Sequence, residues 1–445
     1  MKLNKTLLVR TLGAALLTGA SGAQAANWLA LQGTEPDGQS ARARIWGFIQ
    51  AQYQKDNSNA NSKDQYVPPK LIGPNLTSQD QFNVNRARIG VRGTGFPLDN
   101  KVNYFFLAEF GNNGITAPGD RNVRITDASI TLSYIPGARI RAGLFKTPGA
   151  EEGLQAIHVF DYINFTTVTN QLMLERFPNS NGSYEAAVNN PATTLPAESG
   201  LGAFDRSVGA FRDTGVQIFD IFKVKNWEHS YAVMLGNGNG LNFGNSNGKY
   251  DTYLYWSSEL VFGGKGGRRE GLKMFVWNQS GKRLLDKTDD GTYNPETFDR
   301  DRRGLGVKYL KKPWRVSAEY MEGDGMIFVG PDKPTFDVNG AKPGGDSTKA
   351  DASGYYLEGG WYIPGSKWEI DARYDVYNRM KGDKFEFEFK TITLGAQYHF
   401  NKKTRVNMEI ADRSAEAVNF ASGKGPNDNL DGVDKRYAIQ LTHIF

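Results

Sequence analysis

The 445-residue sequence contains no cysteine, which excludes a small secreted scaffold held together by disulfide bonds. It also lacks long apolar runs, because no segment approaches the roughly 20 apolar residues that a membrane-spanning helix needs. Mean hydropathy is −0.52, a value typical of water-soluble chains. A strong excess of one charge is missing as well, since 53 lysines and arginines stand against 48 aspartates and glutamates. This balance gives no reason to expect nucleic acid or an acidic surface as a partner.

The first 25 residues have the layout of a secretory signal peptide. The start is basic, residues 12–17 form a short apolar core, and Ala23-Gln24-Ala25 supplies a small-residue cleavage pattern. The sequence therefore predicts a signal peptide over 1–25 and a mature chain that begins near Ala26.

The main feature that the sequence does contain is alternation with a period of two. In the last segment one face is apolar or aromatic except for His443, and it consists of Tyr437, Ile439, Leu441 and Phe445. The positions between them are small or polar, which indicates a two-faced β-strand. Similar alternation along the chain predicts sixteen strands, most of them about ten residues long, as a tilted strand needs to cross a bilayer. They are 44–53, 82–93, 102–111, 124–135, 138–146, 212–222, 228–236, 253–262, 271–279, 302–310, 314–323, 353–362, 368–377, 390–400, 404–413 and 435–445.

The connections between these segments alternate in length. Short turns such as 136–137 and 401–403 are separated by long polar segments, which are 54–81, 236–252, 280–301, 324–352 and 414–434. Transmembrane β-barrels have short turns at one rim and long loops at the other, and their alternating strands escape a hydropathy scan. A soluble β-sandwich, the alternative, has no reason to sort its loops in this way. We therefore expect one all-β antiparallel barrel over 26–445, in an outer membrane.

Aromatic residues cluster at the predicted strand ends, for example Tyr53, Trp314, Tyr377 and Phe400. In a barrel they would form two girdles at the membrane interfaces, where an amphipathic ring places its polar edge at the headgroups. The alternative is that aromatic residues favour β-structure in any case.

One connection, 147–211, follows the fifth strand and is far longer than the others. Its first part mixes apolar and aromatic residues with charged ones and would be poorly placed fully exposed in water. Side chains cannot fill the lumen of a sixteen-stranded barrel, so we expect this loop to fold inward and constrict it. The candidate constriction residues are His158, Asp161, Glu175 and Arg176. The alternative is a surface loop with a small helix.

Several strands carry charged residues on the face opposite their apolar side chains. An arginine on the lipid face would cost about 2–4 kcal/mol near the midplane, so the basic positions should face the lumen. They are Arg86, Arg88, Arg92, Arg139 and Arg141. Later strands place acids on the same side, namely Glu319, Glu369, Asp371, Asp375 and Glu409. With the loop's Asp161 and Glu175, the two walls would set up a transverse field that selects solutes by charge. Alternatively, the arginines only neutralise lumen carboxylates.

The sequence contains no recognisable catalytic or metal-binding constellation. Its four histidines are scattered along the chain, and no serine lies in a nucleophile-elbow motif. The acids Asp286, Asp289 and Asp290 could bind calcium in a loop, although solvated surface acids are the simpler interpretation. We expect no enzymatic activity, no cofactor and no metal.

Two motifs around the long loop carry a family resemblance. Gly143-Leu144-Phe145-Lys146-Thr147-Pro148 closes the fifth strand, and Arg212-Asp213-Thr214-Gly215-Val216-Gln217 opens the sixth. An Asn-Gly-Asn-Gly turn and the aromatic last strand support them. Over 43–445 the chain resembles the phosphate-selective porin O and P family of Gram-negative outer membranes. The resemblance implies a homotrimer of 16-stranded barrels with an anion path lined by Arg86, Arg88, Arg139 and Arg141, but a dense lysine cluster in an inward loop is not identifiable.

The expected function is passive diffusion of small anions, with phosphate or polyphosphate as candidates, through an outer-membrane channel. The alternatives are a general, weakly selective porin for small hydrophilic nutrients, an outer-membrane enzyme, or a structural sheath around an electron-transfer partner. Expected partners are the solutes, the lipid bilayer with its lipopolysaccharide, and the barrel-assembly machinery. The last of these would read a terminal signal formed by Tyr437, Ile439, Leu441 and Phe445.

Overall fold

The structure is a computed structural model. It describes residues 27–35, 42–58, 80–95, 98–116, 123–174, 210–241, 244–245, 248–264, 268–286, 295–325, 327, 351–382, 386–423, 427 and 430–445. The predicted signal peptide, 1–25, lies outside these residues.

Within the described residues the chain forms sixteen β-strands. They are β1 (Arg44–Asp56), β2 (Asp80–Gly95), β3 (Asp99–Glu109), β4 (Arg124–Leu132), β5 (Arg139–Lys146), β6 (Arg212–Val224), β7 (Trp227–Gly236), β8 (Asp251–Gly263), β9 (Glu270–Asp286), β10 (Pro295–Lys311), β11 (Trp314–Asp324), β12 (Asp351–Tyr362), β13 (Trp368–Arg379), β14 (Phe387–His399), β15 (Thr404–Ala417) and β16 (Arg436–Ile444). Each strand pairs antiparallel with its neighbours in the chain, and β1 pairs with β16, so the sheet closes into a barrel. The predicted fold class and strand count are confirmed.

The two faces of each strand differ in chemistry, and β14 illustrates how. Ile392 and Leu394 are more than half exposed on the outside, whereas Thr391 and Thr393 between them are buried. In a membrane barrel the exposed apolar face meets lipid and the polar face lines the interior. Closed strand pairing thus gives the backbone N–H and C=O groups of the strands hydrogen-bond partners, and alternation directs apolar side chains to lipid and polar ones to the interior.

The rims are sorted as the sequence predicts, with one correction. Turns such as 225–226 and 312–313 are short at one rim, and the long connections lie at the other. The predicted loop 280–301 is wrong, because β9 and β10 continue through most of it and pair as far as Asp286 and Pro295. Clean alternation is lost there because a hairpin that extends beyond the bilayer has water on its outer face.

Aromatic side chains also fill the interior, and one of them corrects a sequence prediction. Tyr377, predicted for an interfacial girdle, is fully buried and packs with Phe387 and Phe389 inside the barrel. The helical elements are short: α1 (Trp28–Leu31), α2 (Glu151–Leu154), a 3₁₀ turn (Ile157–Val159) and a π-helical turn (Thr169–Met173). Among the described residues, no helix has the length and apolar character needed to span a bilayer.

Candidate functional site: the lumen of the barrel

The predicted basic residues lie on the inner face of β2 and β5. Arg86 and Arg88 are buried there, on the face opposite Ile89 and Val91. Arg86 donates to Gln50 Oε1 at 3.0 Å, and Arg88 Nε donates to Glu109 Oε2 at 2.6 Å. The positions agree with the alternation argument, while their role in an anion path stays a prediction.

Two further predicted arginines are also held by carboxylates. Arg92 Nε lies 2.5 Å from Glu35 Oε1, and Arg139 Nε lies 3.5 Å from Asp220 Oδ1. Arg212, at the start of β6, pairs with Asp127 at 3.0 Å. Much of the basic wall is therefore locally neutralised.

Arg141 is held in a different way. Its guanidinium lies 4.4 Å from the ring centroid of Phe219 and 5.5 Å from that of Phe145. It donates to Thr131 Oγ1 and to the Leu29 carbonyl, both at 3.2 Å. Among the residues that the structure describes, no carboxylate forms an ion pair with it.

Lys146, at the end of β5, is likewise buried, and its partners are neutral backbone carbonyl groups. Its Nζ donates to the carbonyl oxygens of Gly153 at 2.8 Å and Gln155 at 2.6 Å. No ion pair of Lys146 with a carboxylate occurs within the described part of the chain. The motif that closes the fifth strand thus places a buried lysine in contact with the long loop.

The described part of the long loop, 147–174, contacts inner faces of strands on the opposite wall. Glu151 accepts from Lys273 of β9 at 2.7 Å and pairs with Lys308 of β10 at 3.3 Å. The Ile163 amide donates to Glu409 of β15, and the Thr167 amide donates to Asp375 of β13. These contacts join 147–174 to inner-face residues of four strands, as an inward-folded loop requires.

The predicted loop residue Asp161 lies in the densest charge cluster of the lumen. It forms ion pairs with Arg268, in the turn between β8 and β9, at 2.7 Å and with Arg315 of β11 at 3.1 Å. Arg315 also binds Glu369, at 3.0 Å, and Asp371. Burial alone would raise the pKa of Asp161, but the two arginines outweigh it and hold the pKa below its usual range.

His158 lies against the aromatic residues of β1, with ring centroids 5.1 Å from Phe48 and 5.8 Å from Trp46. Burial, assisted by the positive charge of Arg405, lowers the pKa of His158 to about 3. The imidazole is therefore neutral at physiological pH and adds no charge to the long loop, whose role as a constriction stays a prediction. The other two predicted loop residues, Glu175 and Arg176, lie outside the described residues.

The predicted acidic residues of the later strands serve as anchors for the loop and its arginine partners. Glu319 accepts from the Glu151 amide at 3.1 Å, from Trp277 and from Tyr356. Asp375 and Glu409 accept from loop amides, and Glu369 and Asp371 bind Arg315. The sequence places these five acids on the correct face but does not show that the loop satisfies them.

A comparison with protein families matches residues 12–417 to the Gram-negative porin family. The chain belongs to the Gram-negative porins. It is therefore an outer-membrane β-barrel channel, in agreement with the predicted location. A search of curated proteins finds no match.

Solved structures of other porins share the fold at low sequence identity. A loop L8 deletion mutant of OmpT from Vibrio cholerae has a TM-score of 0.53 and 9% identity, covering 92% of this chain and all of that one. OmpF from Salmonella typhi, in complex with daunomycin, has a TM-score of 0.53 and 13% identity, covering 91% and 97%. An anion-selective porin from Comamonas acidovorans has a TM-score of 0.50 and 12% identity, covering 91% and 99%. At such identities the likeness concerns the fold alone.

The last strand of this porin presents the predicted assembly residues to the outside. Tyr437, Ile439, Leu441 and Phe445 are all exposed on that face. Phe445 and Gly47 exchange backbone hydrogen bonds, and a Cβ at Gly47 would lie 2.3 Å from the Phe445 ring. The terminal aromatic residue therefore contributes to the seam where the barrel closes.

Sequence reasoning missed one element of this porin's lumen. Residues 27–35 lie inside the barrel, where Asn27 donates to Ser230 of β7 at 3.0 Å and Gln32 donates to the Leu154 carbonyl at 2.6 Å. The available signal was the apolar run Trp28-Leu29-Ala30-Leu31, which follows the predicted cleavage site and fits no strand.

Proposed function

We propose that this porin is a passive, anion-preferring channel for small hydrophilic solutes. The observation that carries the proposal is the uneven pairing of lumen charges. Arg141 of β5 is a buried guanidinium that has no carboxylate partner among the described residues, whereas the loop carboxylate of Asp161 and the wall carboxylate of Glu369 are each held by arginine. An excess of unneutralised positive charge along β5 would raise the local concentration of anions.

Phosphate is the candidate solute within this proposal. A planar guanidinium can donate two parallel hydrogen bonds to a phosphate oxyanion, so it should hold phosphate longer than chloride. The Comamonas acidovorans porin of similar fold is described as anion-selective, which makes anion selectivity compatible with this architecture. The support for phosphate itself is the motif resemblance at 143–148 and 212–217.

The test is the reversal potential of the purified porin across a planar bilayer in a potassium chloride gradient. We expect chloride to be preferred over potassium, and the preference to weaken as salt rises, because screening acts over about 10 Å at 0.1 M. Arg141→Gln should reduce the ratio of chloride to potassium permeability by up to about fourfold, since a unit charge 10 Å from the ion path shifts the energy of each ion by about 0.4 kcal/mol in water, with opposite sign for the two ions. Phosphate added to one side should reduce the chloride current.

Arg303→Gln is the control for the loss of one positive charge. Arg303 is exposed on the outer part of β10 and pairs with Glu322, so its removal should leave the selectivity unchanged. Potassium preference in the unmodified porin would reject the anion-channel proposal. It would favour a general, weakly selective porin. Such a porin is consistent with three ion pairs in which lumen arginines are neutralised, namely Arg88–Glu109, Arg92–Glu35 and Arg212–Asp127. Chloride preference without any effect of phosphate would remove phosphate as the special solute.

We also propose the cellular context that the sequence implies. The signal peptide 1–25 would be removed on export, the terminal strand would be read by the barrel-assembly machinery, and the barrels would associate as a homotrimer in contact with lipopolysaccharide. We propose no catalytic step, because the family is one of channels and the histidines at 158, 229, 399 and 443 lie on separate elements. No grouping of three metal-ligating side chains occurs among the described residues.

A further inference from the structure

The segment 27–35 contacts a part of the inner wall that differs mostly from the part contacted by the long loop. The loop contacts β9 to β15 and also β1, whereas this segment contacts β3, β7 and β8. Asn27 reaches Ser230 of β7 and Ser257 of β8, and the Glu35 amide donates to Asn103 of β3 at 2.9 Å. Gln32 joins the two by its hydrogen bond to the loop carbonyl of Leu154.

The segment is anchored by apolar burial as well as by hydrogen bonds. Trp28 and Leu29 are buried, with only 8% and 1% of their surfaces exposed to solvent. They belong to the same interior cluster as Leu154, Phe219 and Tyr255. Burial of large apolar side chains is favourable, so these two residues give the segment a preference for the lumen over water.

The segment also changes the charge of the wall that it covers. Glu35 places one oxygen 2.5 Å from Arg92 Nε and the other 3.1 Å from an Arg44 guanidinium nitrogen, and its side chain is almost fully buried. The Leu29 carbonyl accepts from Arg141, which has no carboxylate partner among the described residues. The segment thus pairs with Arg92 and Arg44 and accepts one hydrogen bond from Arg141.

The segment 27–35 lies toward the end of the pore that carries the short turns. Arg92 and Arg141 lie close to the short turns that follow β2 and precede β5, and short turns face the periplasm in outer-membrane barrels. A solute that has passed the long loop would therefore meet 27–35 before it leaves the barrel.

We infer that residues 27–35 form a lumenal plug that limits the conductance of the pore and sets its charge selectivity on the periplasmic side. The part that concerns conductance is independent of the proposed anion preference. The part that concerns selectivity rests on it, because Glu35 lowers an anion preference only if the wall behind it creates one.

The conductance part is tested with the full-length chain carrying Asn27→Ala, Trp28→Ser, Leu29→Ser and Gln32→Ala together. These changes remove the apolar and hydrogen-bonding anchors but keep the length of the chain and the predicted cleavage site. We expect a larger single-channel conductance than in the unmodified porin, with the barrel still folded by its heat-modifiable migration on a gel. Unchanged conductance in the folded variant would overturn the plug.

A second measurement remains informative if that variant does not fold. The chain has no cysteine, so Leu29→Cys introduces a single thiol. In the folded porin we expect this thiol to resist a charged thiol-specific reagent, whereas Lys282→Cys, at an exposed position of β9, should react quickly. Rapid reaction of both thiols would show that the segment does not stay in the lumen and would overturn the inference.

The selectivity part is tested by Glu35→Gln, which keeps the segment in place and removes one negative charge. We expect the reversal potential to shift toward chloride, with little change in conductance. No shift, or a shift toward potassium, would overturn the selectivity role of Glu35. If the unmodified porin prefers potassium, the anion proposal fails, but the conductance and labelling results still decide whether 27–35 is a plug.

Discussion

Arg315 offers the sharpest test of how the lumen is held together. Its guanidinium pairs with Asp161 of the long loop and with Glu369, Asp371 and Glu358 of β13 and β12. The residue is fully buried, so one arginine joins the loop to the wall and compensates several carboxylates at once. The perturbation that isolates this role is Arg315→Gln, which keeps a polar side chain and removes the charge.

Removal of one partner from a buried ion pair costs about 3–5 kcal/mol, because the remaining charge stays buried without compensation. Four carboxylates lie within ion-pairing distance of Arg315, so we expect the upper end of that range. Part of this cost should be avoided, because Asp161 keeps Arg268 as a partner at 2.7 Å. The loop nevertheless loses the ion pair that joins Asp161 to β11, so it should be held less firmly. The variant should therefore unfold at a lower temperature, conduct more and shift its selectivity toward potassium.

The assay is the temperature at which the folded band disappears on a semi-denaturing gel, followed by bilayer recordings. Arg303→Gln is again the matched control, because Arg303 forms a close pair with Glu322 but is exposed. Exposed pairs contribute about 0–1 kcal/mol, so this control should unfold nearly as the unmodified porin does. Equal unfolding temperatures and equal conductance for the two variants would refute the anchoring role of Arg315.

Three further predictions concern assembly and pH. Deletion of Phe445 should reduce insertion into the outer membrane, because the residue contributes to the β1–β16 seam, while Phe445→Tyr should insert normally; equal surface levels by protease accessibility would contradict this. Mild extraction followed by native mass measurement should give a trimer, and a monomer at all detergent concentrations would exclude it. Lowering the pH from 7 to 5 should reduce the free energy of unfolding by about 2 kcal/mol through His158. In the unfolded chain the imidazole gains a proton below its ordinary pKa of 6.5, whereas in the folded protein it does so only near its lowered pKa of about 3. His158→Gln should remove that part of the pH dependence of unfolding, and an identical dependence in both proteins would argue against the buried neutral form.

The barrel could be predicted from the sequence because every second residue of a strand must be apolar where it faces lipid. Lipid excludes polar side chains from one face, so pairs such as Leu394 and Thr393 reveal their orientation without any knowledge of the tertiary structure. The constraint disappears where water lies on both faces. For that reason the outer halves of β9 and β10, with Lys282 next to Asp299, resembled a polar loop.

The contents of the lumen could not be predicted in the same way. Alternation places Arg92 and Arg141 on the inner face, but it does not reveal that Glu35 pairs with one and the Leu29 carbonyl with the other. Both partners come from a segment that precedes the first strand and has no period of its own. Their position follows from the tertiary fold, where the apolar side chain of Trp28 finds an interior cluster to pack against.

The number of charged residues in the lumen does not by itself determine the selectivity of the pore. Arg88 and Arg141 both project inward from neighbouring parts of one wall, yet Glu109 neutralises the first and two aromatic rings flank the second. A neutralised pair acts on a passing ion only as a dipole, whose field decreases faster with distance than that of a single charge. The selectivity of the pore should therefore follow the few cations left without carboxylates, and these are determined by the positions of the long loop and of residues 27–35. A change that moves either segment should alter ion preference even when every wall residue is retained.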